Sequence, residues 1–144
     1  MKAEPIRPGS GEVLANWDRI KREQEGRSGL FADVPENLPA LLRARKLQRR
    51  VVNRAPEGAD TGIVGADGPE AAFEAVRSAL RGLESAAAGA GGSPTSDDAA
   101  RVELDLTLGE LLFAAVEISR RLGADPELAL RAASERFRTS IGEE

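Results

Sequence analysis

The amino-acid sequence predicts an all-α fold, and the prediction rests on composition and on the spacing of apolar residues. Alanine and leucine are abundant, whereas aromatic residues make up only 3 % of the 144 residues. Long segments repeat apolar residues at every third or fourth position, which is the helical pattern, and no segment alternates β-branched residues as a strand does. A chain of this length can form one domain with its own core. We therefore assign residues 11–141 to a single domain, after a flexible N-terminus over residues 1–10.

Five segments carry the helical pattern, and turn-forming residues separate them. They cover residues 12–25, 38–54, 69–88, 98–122 and 126–140. Asn37, Ser96 or Asp97, and Asp125 precede three of these segments and are expected to act as N-caps, and Gly123 is expected to end the fourth. The first segment would form an N-terminal helical arm, and the other four would form the main bundle.

The fourth segment holds the longest apolar-periodic stretch, over residues 102–122. Glu103, Glu110 and Glu117 follow one another along it at seven-residue steps and so share a face. Leucine and valine cover much of the remaining surface, and we expect the helix to be buried on more than one side. Burying a carboxylate is unfavourable unless a partner compensates it. The expected partners are Arg77, Arg81 or Arg121, unless the acids face a wet groove, a subunit interface or a metal.

The residue types that are absent restrict the chemistry. The chain has no cysteine and no histidine, which excludes disulfides, thiolate or Ser-His-Asp catalysis and imidazole ligands. A bound metal would be a hard cation held by carboxylates, Mg²⁺ or Mn²⁺ by preference. No signal peptide and no apolar run of about 18 residues is found, so the sequence predicts a soluble, cytoplasmic protein without a membrane partner.

The second helical segment is basic, and two interpretations of it stay open. It carries Arg43, Arg45, Lys46, Arg49, Arg50 and Arg54. Such a cluster can bind phosphate or nucleic acid, or it can be the solvated face of an amphipathic helix. The second interpretation is favoured because no aromatic residues lie between the charges and because the whole chain has a net charge of −4.

Two blocks of sequence resemble the MazG family of nucleoside triphosphate pyrophosphohydrolases, in particular the C-terminal domain of bacterial MazG. The first block is WDRIKREQEGRSGLF followed by VPENLPALLRARKLQRR, and the second is LGELLFAAVEISRRLGADPELALRAASERFR. The resemblance implies a MazG-like helical bundle that is dimeric or tetrameric. It also implies Mg²⁺ held between two helices and cleavage of a nucleoside triphosphate to a monophosphate and pyrophosphate.

The family holds its metal with the motifs EExxE and ExxD, because carboxylates three residues apart share a helix face and two such faces form an oxygen cage. In this chain EExxE falls on Ser78, Ala79 and Gly82, and ExxD falls on Thr107 and Glu110. Of the four expected ligand positions, 79, 82, 107 and 110, only Glu110 keeps a carboxylate. The family's lysine ahead of EExxE falls on Ala75, one of four small residues, Ala75, Ala79, Gly82 and Ala86, that would let two helices pack closely.

These departures predict a MazG-like protein with lost or strongly reduced Mg²⁺-dependent activity, acting as a non-catalytic or regulatory homologue. Mg²⁺ would then bind weakly or not at all. One alternative is an active pyrophosphohydrolase with a rearranged metal site made of Glu103, Glu110 and Glu117. A second is a phosphate- or nucleic-acid-binding adaptor that uses the basic second helix.

Partners and phosphate contacts follow from the same resemblance. Near the C-terminus the family's AN-x-KF-x-RRF is only partly kept, and Arg136 and Arg138 are the candidate phosphate-binding residues. We expect a homodimer or a higher homo-oligomer, with a nucleotide or an active MazG paralogue as a further partner. Nucleic acid is not an expected partner of an acidic chain.

Overall fold

The computed structural model describes residues 13, 16, 17, 19, 20, 29–66 and 68–142. The chain divides into two units, Met1–Asp33 and Val34–Glu144. In the first unit, residues 13, 16, 17, 19 and 20 are helical. The predicted flexible terminus and the rest of the predicted helical arm lie outside the described residues. The single domain predicted over residues 11–141 stays a prediction.

The second unit is all-α, as predicted, and contains four helices among its described residues. These are α1 (Ala40–Arg54), α2 (Gly68–Gly89), α3 (Asp98–Arg121) and α4 (Pro126–Ile141). No residue in the described part of the chain is in a strand. No helix found there is long and apolar enough to cross a membrane.

Local signals account for most of the helix ends. The side chain of Asp97 accepts from the backbone N–H of Ala99 at the start of α3, and Asp125 accepts from the N–H of Leu128 at the start of α4. The predicted cap at Asn37 is wrong. Helix α1 begins at Ala40, two residues after the predicted start at residue 38, and no side chain caps it. The φ angle of Pro39 is fixed by its ring, and this residue leads directly into the helix.

Helix α3 is the centre of the bundle, because it packs chiefly on α2 and also contacts α1 and α4. Small side chains allow α2 and α3 to approach each other. A Cβ atom built on Gly82 of α2 would lie 3.9 Å from the Cγ2 of Thr107 on α3. The buried apolar residues of the described chain are Val34, Val64, Ala72, Ala114 and Val116.

The expectation that α3 is buried on more than one side holds for its C-terminal half. Ala114 and Val116 are both buried there, and side chains two residues apart on a helix point about 200° apart. In the N-terminal half apolar side chains are exposed, with Val102 67 % and Leu106 60 % accessible. Contacts with α2, α1 and α4 therefore cover more than one side of α3 over only part of its length.

The connection between α1 and α2 is irregular but fixed to the bundle. Val64 is buried there. Arg121 of α3 donates to the backbone carbonyls of Ala66 and Gly68, and the N–H of Gly65 donates to Glu117 Oε1 at 3.4 Å. The connection therefore packs on the bundle near the start of α2.

Candidate functional site

A cleft of about 330 Å³ lies between α2 and α3. Eight described residues line it: Ile63, Ala75, Ser78, Ala79, Gly82, Glu110, Phe113 and Ala114. Residues three and four apart on a helix share a face, so each helix contributes one face to the cleft. The lining thus includes Ser78, Ala79 and Gly82, on which the resemblance places one metal-binding motif, and Glu110 from the other motif.

Small side chains from α2 leave the space that forms the cleft. Ala75, Ala79 and Gly82 end at Cβ or earlier, whereas a glutamate at the same position would extend several atoms further. Gly82 does not have a positive φ angle, so its backbone does not require glycine. The cleft is open where longer side chains would otherwise reach across from α2 towards α3.

Thr107, at another of the four expected ligand positions, is buried. Its hydroxyl donates back to its own helix, with the carbonyl oxygens of Glu103 at 2.9 Å and Leu104 at 3.2 Å as acceptors. This local bond is common for threonine inside a helix. The hydroxyl proton is therefore used within α3, and the methyl group faces Gly82.

Glu110 carries the only charge among the described residues that line the cleft. Its side chain is exposed, and in the described part of the chain no hydrogen bond or ion pair involves its carboxylate. Nor do the described residues contain any group of three or more acidic side chains placed to hold a metal ion. The cleft therefore offers one free carboxylate and one hydroxyl, that of Ser78.

Glu117 lies in a different environment, fully buried and paired with arginines. Arg120 donates to both of its carboxylate oxygens, with Nη2 2.9 Å from Oε2. The Nε of Arg121 lies 3.5 Å from Oε1. Arg121 is one of the three arginine partners named from the sequence. The other two, Arg77 and Arg81, pair instead with Glu74 on the exposed side of α2.

Glu103, Glu110 and Glu117 are not brought together. Each seven-residue step along an α-helix is a rise of about 10.5 Å, so a single cation cannot contact all three carboxylates. Glu103 is exposed and does not line the cleft, and Glu117 is bound to arginines. Only Glu110 of the three faces the cleft.

The two candidate phosphate-binding arginines lie on α4, away from the described lining of the cleft. Both are exposed. Arg138 is paired with Glu135, with Nη2 2.9 Å from Oε2. In the basic helix α1, Arg45 forms an ion pair of 3.2 Å with Asp125, the residue that caps α4. Arg45 therefore links α1 to the start of α4.

Two residues near the cleft were not identified from the sequence. Ile63, in the connection before α2, forms part of the lining, and no local pattern predicts that a loop residue packs there. Gln48 of α1 is fully buried, and its Nε2 donates to the carbonyl oxygen of Phe113 at 2.9 Å. Gln48 lies four positions from Ala44 and from Val52 and so shares their face of an amphipathic helix. A polar residue on such a face is the signal that could have indicated its burial.

Curated relatives match most of this chain. A protein of Escherichia coli strain K12 named nucleoside triphosphate pyrophosphohydrolase is 34 % identical over 131 residues, which are 89 % of this chain and 44 % of that protein. One of Thermotoga maritima, named nucleoside triphosphate pyrophosphohydrolase/pyrophosphatase MazG, is 32 % identical over 129 residues, 88 % of this chain and 43 % of that protein. No protein-family model matches the chain. The chain spans less than half the length of these relatives.

Proposed function

Because this chain belongs to the MazG family, we propose that it keeps the helical scaffold and the cleft of a nucleoside triphosphate pyrophosphohydrolase but has lost most or all of the metal-dependent activity. One observation carries the proposal. Residues at four of the five motif positions, Ser78, Ala79, Gly82 and Glu110, line the cleft between α2 and α3, and Glu110 is the only carboxylate among its described lining residues.

Mg²⁺, the cofactor that the resemblance implies, does not fit this set of donors. The ion requires near-octahedral oxygen coordination and gives up its water reluctantly, so it binds poorly to sparse ligands. Ala79 and Gly82 offer no oxygen beyond the helix backbone, and the hydroxyl of Thr107 is bonded within α3. A triphosphate would also meet no lysine or arginine among the described lining residues, and the one charge there, on Glu110, would repel it.

The alternative of an active enzyme with a rearranged acidic site finds less support in this geometry. Glu117 already has two arginine partners, and releasing it would leave both cations without their buried counter-charge. The role that fits best is therefore a non-catalytic or regulatory homologue. Such a protein would act by binding a partner protein.

The partner that we propose first is a second copy of this chain, as a homodimer or a higher homo-oligomer, with an active MazG paralogue as the other choice. Support comes from the exposed apolar side chains on α3 and α4. They include Val102, Leu106, Leu112, Leu128, Leu130 and Phe137. Large apolar side chains left exposed in one chain are candidates for burial in a protein interface. Sedimentation analysis should give a species of at least twice 15.2 kDa, and a monomer at all concentrations would contradict self-association.

The activity itself can be measured directly. Purified protein is incubated with a panel of nucleoside triphosphates and Mg²⁺ or Mn²⁺, and pyrophosphate is quantified. The Escherichia coli relative serves as the positive control. We expect no release above the no-enzyme control. Robust release that Glu110→Ala abolishes would overturn the proposal, because it would show that a working metal site uses this carboxylate.

A further inference from the structure

We propose that the cleft between α2 and α3 binds a small organic monocation, a primary amine or a guanidinium carried on an apolar group. The inference rests on the proposed function, since it requires that a metal-bound nucleotide is not the occupant. It follows from the charge, the size and the rigidity of the cleft.

The charge of the cleft favours a cation. Glu110 is its only charged side chain among the described lining residues, and within that part of the chain it has no ion-pair or hydrogen-bond partner. Its carboxylate can accept from an ammonium or, with both oxygens, from a guanidinium. The hydroxyl of Ser78 is the other polar side chain in the lining and can accept one further N–H.

The size and the remaining lining favour an organic ligand over a metal ion. A volume of about 330 Å³ lies at the lower end of the roughly 300–1,000 Å³ typical of small-molecule sites. Ile63, Phe113 and the alanines of the lining provide apolar surface, against which a hydrocarbon group is removed from water. A hydrated metal ion gains nothing from such surface.

The cleft is held in shape by contacts that lie outside it. Ile63 belongs to the connection that Arg121 fixes through the carbonyl oxygens of Ala66 and Gly68. On α3, the carbonyl oxygen of Phe113 accepts from Nε2 of Gln48 on α1 at 2.9 Å. A ligand therefore finds its apolar walls already in place, which reduces the ordering that binding requires.

Three probes of similar shape separate charge from shape: phenethylamine, 2-phenylethanol and phenylacetate, which are positive, neutral and negative at neutral pH. Binding is followed by backbone amide chemical shifts, read at residues 75–82 and 110–114. At low salt we expect the amine to bind about fivefold more tightly than the alcohol, the upper range for an exposed ion pair. The acid should bind least.

Two substitutions test the role of the carboxylate. Glu110→Gln should make the amine and the alcohol bind equally. Glu74→Gln is the matched control, because it removes the same charge from an exposed site on α2 and should leave the preference for the amine intact. Equal binding of amine and alcohol by the unaltered protein, or an amine preference that survives Glu110→Gln, would overturn the inference.

Filling the cleft tests the location. Ala79→Leu should abolish binding of all three probes, and Ala75→Leu provides a second variant if the first is not folded by circular dichroism. Binding that survives in both would overturn the location. Pyrophosphate release measured on the same samples keeps the outcomes distinct. Release would overturn the proposed function, whereas a missing amine preference without release would overturn only the cation site.

Discussion

Glu117 and Arg121 lie one turn apart on α3 and join the end of that helix to the start of α2. The Nε of Arg121 is 3.5 Å from Oε1 of the fully buried Glu117. The same guanidinium donates from Nη1 to the carbonyl oxygen of Gly68 at 3.0 Å. Since α2 and α3 form the cleft, this pair fixes one end of the candidate site without belonging to it.

Removing the buried charge should destabilise the protein. Glu117→Gln leaves Arg120 and Arg121 without their counter-charge, and breaking a buried ion pair in this way costs about 3 kcal/mol in the free energy of unfolding. Urea denaturation followed by circular dichroism measures the change. Glu74→Gln, at an exposed ion pair, is the control and should lower the denaturation midpoint much less, because exposed ion pairs contribute little to stability. Equal midpoints for the two variants would contradict the buried network.

Two glycines should respond to alanine in opposite directions. Gly82 is helical, and a Cβ there makes only an ordinary contact of 3.9 Å with Thr107. Gly82→Ala should therefore stabilise the fold by about 0.5–1 kcal/mol. Gly65 has a φ angle of 74°, which residues other than glycine adopt at a cost of about 1–2 kcal/mol. Gly65→Ala should therefore destabilise the fold. A lower melting temperature for Gly82→Ala would contradict this spacing of 3.9 Å between α2 and α3.

The exposed carboxylate of Glu74 should titrate below the ordinary range. The hydrogen bond and the charge of Arg81, followed by those of Arg77, lower its pKa. Because the folded pKa lies below the unfolded one, the stabilisation is present above the ordinary pKa of glutamate and is lost as the pH falls through the folded value. Side-chain NMR titration should show the lowered pKa, and Arg81→Gln should raise it. An unchanged pKa in that variant would exclude Arg81 as the cause.

Restoring the missing carboxylates should restore metal binding. We expect the triple variant Ala79→Glu, Gly82→Glu and Thr107→Glu to bind Mn²⁺, since with Glu110 it would present four carboxylates from two facing helices. A matched triple variant with glutamine at the same three positions controls for size. Calorimetry should detect Mn²⁺ binding only with glutamate. Equal behaviour of the two variants would mean that positions 79, 82 and 107 do not face Glu110 as a cage requires.

The sequence predicts the helical fold well because its signals are local. Asp97 and Asp125 cap their helices as expected, since a cap depends on residues two or three positions away. The exposure of the N-terminal half of α3 was not predicted, because the number of apolar residues on a helix does not reveal how much surface its neighbours cover. Val102 is apolar and yet lies on the open side.

The candidate site was predictable only in part. The spacing placed Glu110 and Glu117 on one face, but seven residues also carry the chain about 10.5 Å along the helix axis. One glutamate therefore reaches the cleft while the other lies among arginines. Ile63 reaches the cleft from a connection whose path depends on contacts with Arg121, more than 50 residues away in the chain. No local sequence pattern indicates a contact between residues so far apart in the chain.

Mn²⁺ titration of the unaltered protein by isothermal calorimetry would show whether the cleft still holds a metal ion. We expect no site tighter than the millimolar range, because Glu110 is the only carboxylate among the described residues of the cleft. A micromolar site that disappears in Glu110→Gln would contradict it, since that result requires further ligands around this carboxylate and a metal centre that still works.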